Sequence, residues 1–240
     1  RMILGELSLD GCIRPVPGIL PMVAAARTLG LSEVILPAAN AAEASLVQGI
    51  RALAATDLPQ LMAYLGGRQE LPVVTADPVA PMPTGGPDLA EVRGQAHVKR
   101  AMEIAAAGRH NLLMVGPPGS GKTMLARRLS AILPDMTYEE CLETTKVHSV
   151  AGLLRRGAGL IHRRPFRAPH HTGSAAALVG GGAIPRPGEA SLAHHGVLFL
   201  DELPEWRRDV IEVLRQPIED GCVTISRAAA RPITLSKRIS

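Results

Sequence analysis

The chain has 240 residues, of which 46% are hydrophobic and 20% are charged, and its formal net charge is +4. This length can bury one or two cores, and no apolar run reaches the roughly 20 residues that a transmembrane helix needs. The cysteines, Cys12, Cys141 and Cys222, lack the spacing of a disulfide framework or a zinc site, and no signal segment opens the sequence. We expect a soluble cytoplasmic protein with no membrane partner.

The charge is unevenly distributed along the sequence. Seven basic residues and no acidic residue lie between positions 144 and 188, and four more lie between 223 and 240, again without an acid. The remaining residues hold 15 basic and 22 acidic groups. Two acid-free basic segments on an acidic body are consistent with a surface that faces a polyanion, and equally with an ordinary solvated face.

The N-terminal part has the pattern of an α/β unit. Residues 2–9 and 33–36 are predicted strands, and residues 19–28 are a predicted helix. Asn40 precedes Glu43 by three positions, which is the spacing of a capping box that opens a further helix.

A segment rich in proline and glycine follows at residues 66–87. Its five prolines and four glycines exclude a helix or a central strand, so it is predicted to link two folded units. We expect a unit at residues 1–65, whose natural start lies upstream, and a second unit at residues 88–240.

The second part alternates predicted helices and strands. The apolar spacing predicts helices at 95–107, 121–132 and 205–214, strands at 111–115 and 197–200, and a hairpin built from 222–226 and 232–235.

The run Gly-Pro-Pro-Gly-Ser-Gly-Lys-Thr at 116–123 fits the phosphate-binding pattern G-x-x-x-x-G-K-[ST] between a predicted strand and a predicted helix. Its backbone N–H groups are expected to wrap the phosphates of ATP, Lys122 to reach the β- and γ-phosphates, and the Thr123 hydroxyl to ligate Mg²⁺. The predicted nucleotide-contacting residues are Gly116, Pro117, Pro118, Gly119, Ser120, Gly121, Lys122, Thr123 and Met124.

Two acidic residues end the apolar run that precedes position 201. Asp201 follows a predicted buried strand, where a carboxylate can hold Mg²⁺ together with Thr123. Glu202 is then placed to orient and deprotonate an attacking water, which favours hydrolysis. We predict that Lys122, Asp201 and Glu202 are catalytic.

Several longer segments carry a family resemblance. Leu-Ala-Glu-Val-Arg-Gly-Gln at 89–95 resembles the adenine-lining segment of AAA+ ATPases, which implies nucleotide contacts from Val92, Gly94 and Gln95. The segments 164–172, 187–202 and 214–221 resemble the magnesium-chelatase-like AAA+ ATPases of the YifB/ComM type.

This resemblance implies an α/β fold: a P-loop AAA+ core around a parallel sheet, with an insert in the second helix and a hairpin before the first sensor strand. Both additions face the pore of ring-shaped relatives, which implies a ring, a hexamer by resemblance, acting on DNA in branch migration or unwinding. The implied DNA contacts are Arg163, Arg164, Arg167, Arg227 and Arg231. A magnesium-chelatase subunit that drives metal insertion is the alternative.

The N-terminal segments 5–11 and 14–18 are similar to the end of a Lon-type proteolytic domain, an α/β fold of the ribosomal-protein-like superfamily. Active proteases of that type place a lysine where this sequence has Leu20. Because leucine supplies no base, we expect a scaffold or docking module rather than a protease.

The histidine pairs 170–171 and 194–195 have no assigned role. Adjacent histidines rarely direct both rings at one ion, and no carboxylate lies at ligand spacing between them, so a metal site is not predicted there. Trp206 is expected to be a packing anchor. With 2% aromatic residues, any DNA contact is expected to follow the phosphate backbone rather than stack on bases.

Residues 235–240 do not resemble the family's continuation into the first sensor, the arginine finger and the lid. We therefore expect the chain by itself to bind nucleotide weakly and to turn it over slowly, since an arginine finger contributes about 10³ to 10⁵ in rate.

Overall fold

The computed structural model describes residues 1–75, 86–154, 159–181, 186–220, 222–227 and 230–236, with side chains described as far as Glu219. The chain divides into two compact units, Arg1–Pro81 with His148–Leu160, and Met82–Val147 with Ile161–Ser240. In the described part of the chain, no helix is both long enough and apolar enough to cross a membrane.

The first unit is an α/β unit built on a parallel sheet. Its elements in chain order are β1 (Met2–Ile3), β2 (Glu6–Leu7), β3 (Ile13–Arg14), α1 (Ile19–Thr28), β4 (Glu33–Pro37), α2 (Ala41–Ala44), β5 (Arg51–Ala55) and α3 (Leu58–Leu65). The described strands pair in the parallel order β1-β4-β5, while β2 and β3 form an antiparallel pair. The predicted strand at 2–9 is therefore two short strands, because the chain turns at Gly5, whose φ is 145°.

The central strand β4 and the helix α1 supply the core of this unit. Val34 and Leu36 of β4 are fully buried, as expected for a strand covered on both faces. Helix α1 has the predicted bounds. It ends where Gly30 takes a left-handed φ of 71°, and the N–H of Leu31 then reaches the carbonyl of Ala26, an arrangement that satisfies the last carbonyls.

The predicted capping box at Asn40 and Glu43 is wrong. The Asn40 amide instead bonds both the N–H and the carbonyl of Val16, at 3.1 Å each. The Glu43 carboxylate accepts from the N–H of Leu20 in the first turn of α1 and from the Ser149 hydroxyl. Both side chains join distant segments because they are partly buried, where an unbonded polar group is costly.

The first part of the predicted linker is folded into this unit. The N–H of Ala54 donates to the carbonyl of Pro72 at 3.0 Å, and the N–H of Val74 donates to Ala52 at 2.9 Å. Leu71 is 3% exposed in a cluster with Leu53. This pairing is possible because Leu71 adds an apolar side chain to the core. The rest of the predicted linker, 76–85, lies outside the described residues, and residues 148–160 group with the first unit rather than with 88–240.

The second unit is also an α/β unit. Its elements in chain order are α4 (Ala96–Gly108), α5 (Lys122–Ile132), α6 (Tyr138–Val150, the last three residues of which group with the first unit), β6 (Phe166–Arg167), α7 (Ala175–Val179), β7 (Gly180–Gly181), β8 (Arg186–Pro187), α8 (Glu189–Leu192), β9 (Val197–Leu198), α9 (Arg208–Glu212), α10 (Arg215–Asp220), β10 (Cys222–Arg227) and β11 (Ala230–Ser236). The described strands β6 and β9 pair in parallel.

Two clusters of apolar side chains hold the described part of this unit together. Leu89, Val92, Met102 and Leu125 join α4 and α5 to the segment before α4. The second cluster surrounds Trp206, which is 5% exposed and confirms its predicted packing role.

Two predicted elements of this unit differ from the structure and one is confirmed. Residues 111–115 pair with no described strand, although burial alternates along them: Leu112 and Met114 are partly buried, while Leu113 is exposed. The helix predicted at 205–214 is replaced by a 3-10 turn, Leu203–Glu205, followed by α9. The predicted hairpin is confirmed, since β10 and β11 pair antiparallel with Thr224 opposite Thr234.

Candidate nucleotide-binding site

The loop at 116–123 connects the extended segment 111–115 to α5. Gly119 and Gly121 have φ values of 77° and 83°, a left-handed conformation that glycine adopts without strain. Helix α5 begins directly after Gly121. The loop therefore presents backbone N–H groups at the positive end of an 11-residue helix, which is the arrangement that binds phosphate.

Lys122 is positioned over this loop. Its ammonium Nζ donates to the carbonyl oxygens of Gly116 at 2.8 Å and Pro117 at 3.1 Å. A lysine held at the mouth of a glycine loop can transfer these hydrogen bonds to a bound phosphate, which is a stronger, charged acceptor.

The two predicted Mg²⁺ ligands lie together. The Thr123 hydroxyl donates to Asp201 Oδ2 at 2.8 Å, although the residues are 78 positions apart. The backbone of Asp201 is held in place by Trp206, whose indole N–H donates to the Asp201 carbonyl at 2.9 Å. Hydroxyl and carboxylate oxygens beside a phosphate loop are donors that Mg²⁺ prefers, so these residues fit Mg²⁺ bound with ATP.

Glu202 is held in an unusual conformation next to this pair. Its φ is 50°, which is uncommon for a non-glycine residue, and its N–H donates to Asp201 Oδ1 at 3.0 Å. Its carboxylate Oε2 lies 3.3 Å from His171 Nδ1. The sequence singled out the pair His170 and His171 but predicted no partner for it, because Glu202 lies far along the chain.

The predicted adenine-lining segment packs against α5. Arg128 of α5 donates to the carbonyl of Asp88 and pairs with Glu91, both at 2.8 Å. Gln95 donates from Nε2 to the carbonyl of Ser120 in the loop at 3.3 Å. These contacts place the segment beside the phosphate loop.

The remaining predicted contact residues lie around the same loop. Val92 is 4% exposed in the cluster with Leu125, so it would meet a base through its backbone. Gly94 has a φ of 67°, and Met124 is 40% exposed in the first turn of α5.

Two of the five arginines predicted to contact DNA form hydrogen bonds and ion pairs within the protein. Arg164, with a side chain 8% exposed, donates to the carbonyls of Pro134 and His195 and pairs with Glu140. Arg167 makes a two-pronged ion pair with Glu189 at 2.5 and 2.7 Å, and these hydrogen bonds raise its pKa. Each guanidinium already meets acceptors within the protein, so contact with a phosphate would require it to give up these bonds.

For the other three arginines, contact with DNA remains a prediction. Arg163 lies with a guanidinium nitrogen near Gly86. Arg227 ends β10 and Arg231 lies in β11, but both side chains, together with Arg155 and Arg156 of the basic insert, lie outside the described set.

Comparison with known proteins covers almost the whole chain. The family model described as "Magnesium chelatase, subunit ChlI" matches residues 88–235, and a second, "Subunit ChlI of Mg-chelatase", matches residues 1–40. The competence protein ComM of Haemophilus influenzae is 48% identical over 234 residues, which are 95% of this chain and 45% of ComM. The chain thus spans about half the length of the curated relatives it matches.

Two further similarities are partial. An archaeal Lon protease of Archaeoglobus fulgidus is 36% identical over 52 residues, 22% of this chain and 8% of its own. The structure of NtrX from Brucella abortus, in complex with ADP, superposes over 99% of this chain and 48% of NtrX at 15% identity, with a TM-score of 0.41, which is too low to support an argument about the site.

The first family model matches residues 88–235, which include the phosphate loop, Thr123 and Asp201. These are the residues that the structure brings together. The chain belongs to the magnesium-chelatase-like AAA+ ATPases of the YifB/ComM type.

Proposed function

We propose that the chain binds ATP with Mg²⁺ and hydrolyses it, as the nucleotide-binding module of a motor that acts on DNA. The observation that carries the proposal is the 2.8 Å contact between Thr123 and Asp201 beside Lys122 and the glycine loop. Two Mg²⁺ ligands and a phosphate-binding lysine then share one edge of the unit.

Each side chain has a defined role in this proposal. Lys122 binds the phosphates in exchange for the loop carbonyls, and Thr123 and Asp201 hold the metal. Mg²⁺, when bound with the nucleotide, neutralises the charge that develops during phosphoryl transfer. Glu202 accepts the proton of the attacking water, and His171 orients its carboxylate from 3.3 Å.

The action on DNA rests on the charge pattern and on the relatives. The backbone pairing of β10 and β11 forms a hairpin that includes Arg227 and Arg231, and the body of the chain is acidic. The name of the competence protein ComM adds support. We propose that the protein works as a ring, a hexamer by resemblance, in the cytoplasm.

The N-terminal unit is proposed to be a scaffold. The position of the catalytic lysine in Lon-type proteases is held by Leu20, which is fully buried in the core. A buried leucine supplies neither a base nor an activated amine, so peptidase activity is disfavoured despite the local similarity to archaeal Lon.

A second candidate is the ATPase subunit of a metal chelatase, in which the same site drives metal insertion into a porphyrin. The description of the matching family model favours it. Stimulation of ATP turnover by DNA favours the first candidate, whereas turnover indifferent to DNA favours the second.

The test uses a fluorescent ATP analogue and phosphate release. We expect Lys122→Ala to weaken nucleotide binding by about 10-fold to 100-fold, since a hydrogen bond to a charged group contributes about 1.5–3 kcal/mol. Lys99→Ala, which removes a lysine from α4, is the charge-matched control. Glu202→Gln should keep binding and lower turnover by about 10² to 10⁴.

The DNA arm compares single-stranded and duplex DNA at several salt concentrations. Arg231→Ala should reduce the salt dependence of binding by about one counterion, whereas Arg207→Ala, from an exposed pair with Asp209, should not. Equal nucleotide affinity in Lys122→Ala and the parent would contradict ATP binding here. Salt-independent DNA binding would contradict the action on DNA.

A further inference from the structure

A second cluster of side chains lies in the same unit, where α6 meets the loop before β9. The Glu143 carboxylate Oε2 lies 3.3 Å from His194 Nε2 and 2.8 Å from His195 Nε2. One ligand atom from each of these residues lies within 4.8 Å of the other two. The sequence placed no carboxylate near the histidine pair, because Glu143 precedes the pair by about 50 positions.

The backbone at His195 explains how neighbouring histidines face one point. In a strand, consecutive side chains point to opposite faces, and in a helix they diverge. His195 has a φ of 55°, a left-handed conformation that brings the two rings to a centroid distance of 3.9 Å. Such a conformation in a non-glycine residue costs free energy and is concentrated at functional sites.

Surrounding residues hold the pair rigidly. The Thr144 hydroxyl, fully buried, donates to the carbonyl of His194 at 3.3 Å, and Arg164 donates to that of His195 at 2.7 Å. Glu140 Oε1 lies 3.6 Å from His195 Nδ1, on the opposite edge of the ring from Glu143. A carboxylate behind a histidine is the usual outer partner of a metal ligand, because it fixes the ring and raises its basicity.

The candidate ligand atoms lie at separations that a bound cation could bridge. In a tetrahedral zinc site with bonds of about 2.0–2.2 Å, ligand atoms are about 3.3–3.5 Å apart. The distance of 3.3 Å between Glu143 and His194 matches this range, and the 2.8 Å contact with His195 would lengthen on metal binding.

We propose that Glu143, His194 and His195 bind a divalent transition metal, Zn²⁺, separate from the nucleotide site. Two imidazoles and one carboxylate match the preference of zinc for nitrogen and oxygen ligands. The Glu143 side chain is 52% exposed, so water can complete the coordination. The metal would tie α6 to the loop that leads through β9 to Asp201.

The test uses Co²⁺ as a spectroscopic probe on the full chain, stripped with a chelator and kept in excess Mg²⁺ so that oxygen-only sites are filled. We expect one equivalent of Co²⁺ with tetrahedral absorption in the visible range, displaced by one equivalent of Zn²⁺. Glu143→Gln, which keeps the shape of an exposed side chain, and His195→Ala should each weaken Zn²⁺ binding by at least about tenfold.

His170→Ala is the matched control, because His170 and His171 also stack, at 4.2 Å, but His170 bonds Thr172 and no described carboxylate bridges that pair. Circular dichroism melts of each variant establish that it is folded. The proposal fails if the folded parent chain binds no stoichiometric Co²⁺, or if His170→Ala weakens binding as much as His195→Ala. A strong thiolate charge-transfer band would place the metal at a cysteine instead and would also overturn the proposal.

Discussion

The hydroxyl of Thr123 donates a 2.8 Å hydrogen bond to the carboxylate of Asp201. Thr123 lies in the first turn of α5 and Asp201 follows β9, so the contact joins the helix after the phosphate loop to the segment after a half-buried strand. The two side chains that we propose as Mg²⁺ ligands are thereby already adjacent.

Asp201→Asn should raise the Mg²⁺ concentration that nucleotide binding requires. The amide keeps an oxygen but loses the charge that holds the cation, so we expect the Mg²⁺ concentration for half-maximal ATP binding to rise by about tenfold or more. Asp209→Asn, an exposed aspartate on α9, is the control. An Mg²⁺ titration with a fluorescent ATP analogue measures the effect, and identical curves for Asp201→Asn and the parent would contradict the assigned role.

Gly196→Ala should destabilise the second unit. A Cβ at Gly196 would overlap the backbone carbonyl oxygen of Pro165, which accepts from the N–H of Val197 at 2.7 Å. The overlap would separate β6 from β9, and we expect a loss of about 1–3 kcal/mol in the free energy of unfolding. Denaturant unfolding measures this change. Gly119→Ala is the control, because its Cβ would meet no atom within 4 Å while its φ is left-handed. It therefore measures backbone strain without crowding. A stable Gly196→Ala variant would refute the close approach.

Arg164→Ala should lower stability rather than DNA affinity. The guanidinium is buried and bonds the carbonyls of Pro134 and His195 as well as Glu140, so its removal takes a partner from the largely buried Glu140 carboxylate and from the His195 carbonyl. We expect a loss of about 3 kcal/mol or more. Arg215→Ala, which removes an exposed ion pair with Glu219, should cost less than about 1 kcal/mol. Thermal melts decide the point, and a fully stable Arg164→Ala variant with weakened DNA binding would restore the sequence prediction.

The stability of the first unit should fall in acid through Asp57. The backbone N–H of Gln60 and the Thr56 hydroxyl bond this helix-capping carboxylate and lower its pKa. A pKa lowered in the folded state means that the stabilisation is present above the unfolded value, about 3.9, and is lost as the pH falls through the folded value.

The variants Asp57→Asn and Asp57→Ala isolate this contribution. Asparagine is as good a cap as aspartate, so Asp57→Asn should keep α3 at neutral pH and show a weaker acid dependence, whereas Asp57→Ala should melt earlier at neutral pH. Melting temperatures from pH 2 to 7 provide the measurement. Parallel pH profiles for the parent and Asp57→Asn would exclude Asp57 as the source.

Features encoded by neighbouring residues were predictable from the sequence. The loop at 116–123, the bounds of α1 and the pairing of β10 with β11 each depend on local spacing, on glycines or on alternating apolar residues. The meeting of Thr123 and Asp201 beside the loop was also predicted, because the order of strand, loop and helix limits where these side chains can lie.

What only the tertiary structure decided is which distant side chains meet. Asn40 matched a capping pattern but bonds Val16, and Arg164 matched a basic surface but lies buried beside Glu140. Glu143 reaches the pair His194 and His195 across a long stretch of sequence. Local patterns record propensity, whereas these partners are selected by packing, since a polar or charged group that becomes buried must find a partner wherever the fold supplies one.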